Sequence, residues 1–149
     1  MRSVTIKGVS DALSHNTVSL VDIKKGKGQA FLRSYILLWL IELNELLNLK
    51  NPLSEAQIKL CTEQIITDYS FLKLSELSLI FKRIVSGEFG ELYERISMPK
   101  LMTIFRKYEQ ERTEVVISES QQAHESFRYQ ENRTESYNEE IARLFKREY

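Results

Sequence analysis

The sequence predicts an all-α protein: a compact four- to five-helix bundle, preceded by a flexible basic arm and followed by a long polar helix. Three observations point there. The 149 residues hold only five glycines and two prolines, so tight turns are few. Between residues 31 and 108, apolar side chains recur at the 3–4 spacing of helix faces. From Glu109 to Tyr149 the chain has neither glycine nor proline, much charge and few aliphatics. A hydrophobic content of 42% suffices for one core, and 28% charged residues suit a solvated surface.

Residues 1–29 are rich in Ser, Thr, Val and Lys and show no helical period. Val4-Thr5-Ile6 has strand character, but a lone strand is not stable. The segment therefore reads as an arm that becomes ordered only by docking. The bundle is assigned to residues 30–112. Its first helix carries Phe31, Leu32, Ile36, Trp39, Leu43 and Leu46 on one side. Leu37, Leu38, Leu40 and Ile41 fill its other faces, so this helix is central to a bundle or lies at an interface. Asn51-Pro52 is the expected stop.

Ser54-Glu-Ala-Gln57 reads as a capping box for the next helix, which places Ile58, Cys61, Ile65 and Tyr69 on one stripe. Ser75 is the expected cap of a third helix bearing Leu77, Ile80, Phe81 and Ile84, and Gly87 is placed to end it. A short helical turn is expected over 91–96. Ser97-Met98-Pro99 then opens another helix, with proline in its tolerated first turn and a stripe of Leu101, Ile104, Phe105 and Tyr108.

Residues 113–149 form the third part. A seven-residue reading places Val116, Ala123, Gln130, Tyr137 and Leu144 at one position and Ser120, Phe127, Thr134 and Ile141 at another. Too many of these are polar for a coiled coil. The expectation is a long exposed helix, or one broken around 118–122. Near its end, Tyr137, Ile141, Leu144 and Phe145 make a compact apolar patch.

Composition excludes several classes. Cys61 is the only cysteine, which forbids an intrachain disulfide, and its helical spacing makes it a buried structural thiol. His15 and His124 are far apart in sequence, so a zinc site lacks ligands, and no other metal or cofactor is expected. His15 falls in the arm and His124 in the polar tail, neither near an expected pocket-forming element, so an enzyme is not expected. The most apolar run, Tyr35 to Ile41, has seven residues, against about 20 needed to span a bilayer. A cytoplasmic protein without membrane contact is the expectation.

The formal net charge is zero, from 21 Lys/Arg and 21 Asp/Glu. That balance hides an asymmetry: residues 1–33 carry a net +4 and the remainder −4. Lys24, Lys25 and Lys27, interleaved with Gly26 and Gly28, therefore form a candidate phosphate-binding segment, joined by Arg33. It is not a Walker A loop, because no Gly-Lys-Ser/Thr closes it. The bland alternative is a solvated linker. The turn Gly87-Glu-Phe-Gly90-Glu-Leu-Tyr93-Glu-Arg95 is the other distinctive stretch. Gly87, Gly90, Tyr93 and Arg95 read as a helix–helix corner, with Tyr93 packing and Arg95 paired to a carboxylate. The patch Tyr137, Ile141, Leu144 and Phe145 supplies anchors at i, i+4, i+7 and i+8 for a partner's groove, or else folds back on its own bundle.

From Leu53-Ser-Glu-Ala-Gln57-Ile through Ile65-Ile-x-Asp68-Tyr69, Leu72-x-Leu74-x-Glu76-Leu and Phe81, to Gly87-x-Phe-Gly90-x-Leu-Tyr93-x-Arg95-Ile and Tyr108-x-x-Glu111-Arg112, the chain resembles a domain family of unknown function. That family consists of small helical proteins from phages and mobile elements of gut bacteria. The resemblance covers about residues 53–112. It implies a DNA-replication accessory such as a helicase-loader-like adaptor, acting in the host cytoplasm, or some other host-takeover or virion protein. The sequence reading is thus a non-enzymatic adaptor that binds a protein partner. Nucleic-acid binding through the arm is the alternative, and a homo-oligomer is left open.

Overall fold

A computed structural model describes residues 5–90 and 95–147. Among these residues it contains six helices: α1 (Val9–Ser14), α2 (Leu20–Lys27), α3 (Gln29–Leu47), α4 (Glu55–Asp68), α5 (Leu74–Val85) and α6 (Met98–Arg147). The protein is an all-α helical bundle. Its chain divides into two units, one ending at Arg112 and one beginning at Thr113.

In the first unit, the apolar spacing of the sequence becomes a core. Leu32, Ile36, Trp39, Leu40 and Leu43 of α3 are buried. So are Ile58, Cys61, Ile65 and Tyr69 along α4 and its cap, Leu77, Leu79, Ile80 and Ile84 of α5, and Leu101, Ile104, Phe105 and Tyr108 of α6. An aromatic cluster joins these helices. Trp39 meets Phe81 and Phe105 edge-on at 5.6 and 6.0 Å between centroids, and Tyr69 tilts onto Phe105 at 5.1 Å. Such edge-on pairs add to the area that the rings bury. Phe31 and Leu46, expected on the inner face of α3, are exposed instead.

The segment read as a flexible arm is part of the bundle. Thr5 and Ile6 belong to no strand, while Val4 lies outside the described residues. Val9, Ala12, Leu20 and Ile23 are buried on α1 and α2. Hydrogen bonds hold the segment to residues 70–75: Leu20 N donates to Leu72 O, Val21 N to Ser70 O, and Leu74 N to Val18 O, each at 2.9–3.0 Å. Ser75 Oγ donates to Ala12 O at 2.7 Å, and Lys73 Nζ donates to Leu13 O at 2.7 Å. Ser75 therefore does not cap α5. The cap is Lys73, whose backbone N–H is taken by the Glu76 carboxylate at 2.9 Å.

Helix ends follow local chemistry. Ser54 with Gln57, and Ser19 with Asp22, form reciprocal capping boxes. The helix α3 stops at Asn48, not at Pro52. Asn48 takes the left-handed conformation (φ 46°), and Asn44, four residues earlier, exchanges two hydrogen bonds with the Leu53 backbone. Asparagine tolerates that conformation better than most residues, so the last helical residue, Leu47, stands five positions before the proline. At the end of α5, Gly87 (φ 82°) donates to Ile84 O while Glu88 donates to Arg83 O, a Schellman closure. The turn expected over 91–96 falls largely on residues 91–94, outside the described residues, and so does Tyr93. Beyond them, Arg95 is exposed with its backbone bridged to Asn51, and Ile96 is buried.

The second unit is the continuation of α6, which runs from Met98 to Arg147 without the break considered at 118–122. From Glu119 to Glu140 every residue is exposed.

Candidate protein-binding surface

The clearest candidate surface lies on the second unit. Tyr137, Leu144 and Phe145 are 64%, 61% and 67% exposed, and Ile141 between them is partly covered. Spacings of four, three and one residues put all four on one side of a helix. Aromatic and leucine side chains held in water on a regular helix have the geometry of anchors for a hydrophobic groove. Phe127 and Tyr129, also exposed, extend apolar surface toward the middle of the helix.

The basic candidates are arranged differently. Lys24, Lys25 and Lys27 occupy the last turn of α2, where positive charge complements the carbonyl end of the helix dipole. All three are exposed. Gly28 N donates to Lys24 O at 3.0 Å, so that glycine's amide is engaged in ending the helix rather than facing a phosphate. Arg33 gives its Nε and Nη2 to the two oxygens of Glu63. This pairing raises the guanidinium pKa and holds the Glu63 carboxyl below its ordinary value. The structure thus brings the three lysines together and assigns Arg33 to a pair with α4. An open groove of about 310 Å³ runs beside that pair, lined by Arg33, Leu37, Lys59 and Thr62.

At the corner, Gly87 and Gly90 both take positive φ and Gly90 N donates to Gly87 O, which is the compact turn expected from their spacing.

The titratable groups are structural in their surroundings. Burial pushes the Cys61 thiol up to about 11. His15 Nδ1 lies 2.7 Å from Asp11 O and 3.5 Å from an Asp11 carboxylate oxygen on the same short stretch, while His124 is exposed on α6. Among the described residues, no group of three His, Cys, Asp or Glu side chains is placed to hold a metal ion. No helix among them is long and apolar enough to cross a membrane.

A feature that the sequence reading missed is a buried carboxylate. Glu76 is fully buried near the start of α5. One of its oxygens accepts from Tyr108 Oη at 3.2 Å and from Arg112 Nε at 2.7 Å, and the other accepts from Lys73 N at 2.9 Å. Arg112 also lies over the Phe71 ring at 5.0 Å. Desolvation, then the adjacent Glu76 charge, pushes the Tyr108 phenol far up. Nearby, Arg83 chelates Glu111 at 2.5 and 3.0 Å and reaches Glu88 at 3.2 Å. Among the described residues the donors facing Glu76 are Lys73, Tyr108 and Arg112, and this network fastens α6 to α5. In the sequence Glu76 stands among other polar residues, Lys73, Ser75 and Ser78, so nothing local marked its burial.

No protein-family model, no curated protein and no solved structure matches this chain.

Proposed function

We propose that the protein is a non-enzymatic adaptor that works by protein–protein contact, presenting the tail of α6 to an apolar groove on its partner. The observation that carries this reading is the exposure of Tyr137, Leu144 and Phe145 on one side of a regular helix. Isolated exposed apolar residues are ordinary, but three anchors within nine residues form a patch. The further setting, a helicase-loader-like accessory of phage or mobile-element replication, rests on the resemblance of residues 53–112 alone. Nucleic-acid binding through Lys24, Lys25, Lys27 and Arg33 has weaker support, because Arg33 is committed to Glu63.

Affinity capture from a host lysate tests the reading, with the whole chain beside one lacking residues 136–149. A specific partner retained by the first is lost by the second, and a peptide spanning 130–147 competes for it. Thermal melting of the shortened chain stays within a few degrees of the parent. Capture that survives the deletion overturns the assignment to the tail.

A further inference from the structure

We propose that a second copy of this chain docks on the outer face of α3, forming a two-fold dimer in which the two α3 helices run antiparallel. This helix has 19 residues and a length of about 28 Å. Its inner side, Leu32, Ile36, Trp39, Leu40 and Leu43, is buried in the bundle. The α4 side is marked by Arg33, paired to Glu63, and Asn44, bonded to Leu53. On the remaining side, Phe31, Leu38 and Leu46 are 48%, 64% and 56% exposed, with Tyr35 and Ile41 only partly covered. Positions 31, 35, 38, 42 and 45 follow the alternating four–three spacing of a helix-pairing seam.

Charge along this strip chooses the occupant. At its amino end, Lys27 Nζ lies 5.4 Å from the centroid of the Phe31 ring, and Lys24 is on the same turn of α2. At its carboxyl end, Glu42 and Glu45 are exposed. The strip is thus basic at one end, apolar in the middle and acidic at the other. A parallel copy would set lysine against lysine and glutamate against glutamate. An antiparallel copy sets the lysines of each chain over the glutamates of the other, with Leu38 meeting its own counterpart at the axis. Such self-complementarity is what an isologous two-fold interface requires. A single helix pair of this length buries area at the low end of specific interfaces, which corresponds to a concentration-dependent dimer rather than a permanent one.

Sedimentation equilibrium on the full chain between about 1 and 500 µM tests the proposal. The mass is expected to climb from 17.5 kDa toward twice that value. Reversing the basic end (Lys24→Glu with Lys27→Glu) or the acidic end (Glu42→Lys with Glu45→Lys) weakens association about 10-fold or more, and combining both reversals restores it. Leu38→Asp, an exposed position whose change leaves the melting temperature in place, abolishes dimers. A mass fixed at 17.5 kDa over the whole range overturns the proposal. So does a dimer indifferent to Leu38→Asp or to both charge reversals, because association then uses another surface.

Discussion

Replacing Arg112 by alanine isolates the energetics of the buried Glu76 site. Glu76 has no exposed surface, and among the described residues Arg112, with Nε at 2.7 Å, is its cationic partner. Without Arg112, a carboxylate stays buried on two neutral donors, Tyr108 Oη and Lys73 N. Breaking a buried pair from one side costs about 3–5 kcal/mol. Two effects bear on that range here. The Arg112 side chain is 24% exposed, so its removal admits water toward the carboxylate and moves the cost toward the lower limit. Loss of its contact with the Phe71 ring adds about 0.5–1 kcal/mol.

The expected loss for Arg112→Ala is therefore about 3 kcal/mol, read by urea denaturation with linear extrapolation. Glu76→Gln alone costs about 1–3 kcal/mol, because a neutral amide meets donors arranged for an anion. The decisive measurement is the double variant. Once the buried charge is gone, deleting Arg112 removes little, so the pair together costs no more than Arg112→Ala alone. Additive losses, or a cost below about 1 kcal/mol for Arg112→Ala, would falsify the reasoning by making Arg112 an ordinary surface cation.

Two further outcomes follow from the described geometry. Burial raises the Cys61 thiol from 9.0 to about 11, so the unfolded chain gives up this proton at lower pH than the folded one. The resulting stability is fully present below pH 9 and is lost as pH rises from 9 toward about 11; the urea midpoint of Cys61→Ala lacks that component of the alkaline decline. Ser75→Ala removes the donor to Ala12 O and the bond to Thr17, leaving buried polar groups unpaired at a cost of about 1–3 kcal/mol. Limited proteolysis of that variant shows cleavage first within residues 5–18, and a uniform rise in cleavage across the chain would contradict the local account.

Much of the fold was legible because its determinants are local. The four-residue spacing along α4 and the Ser54–Gln57 capping box each need only one turn of chain, and both appear as read. Gly87 is a similar case, since a positive φ at a helix end favours glycine. The N-terminal segment was misread because its partners, residues 70–75, lie some fifty positions away and bond largely through backbone atoms that leave no trace in side-chain pattern. One local signal was present: Ser19-x-x-Asp22 has the form of a capping box and marked α2. Ser75 looked like a cap by residue type, yet its hydroxyl serves a tertiary contact with α1. Glu76 shows the same limit, since its cation stands 36 positions later on another helix. The spacing of the tail patch was visible in the sequence, whereas the exposure of Tyr137, Leu144 and Phe145 was not.

The unbroken course of α6 has a thermodynamic consequence for whatever binds its far end. Starting a helix in water is unfavourable by a factor of about 10³, whereas each added residue is nearly neutral. Here the unfavourable start is made in Met98 to Arg112, where Leu101, Ile104, Phe105 and Tyr108 are packed and Arg112 is bonded to Glu76. Residues 113–147 need only propagate. A ligand meeting Tyr137 to Phe145 therefore finds the helical register already set, and the ordering of that segment is charged to the folding of the protein instead of to its binding.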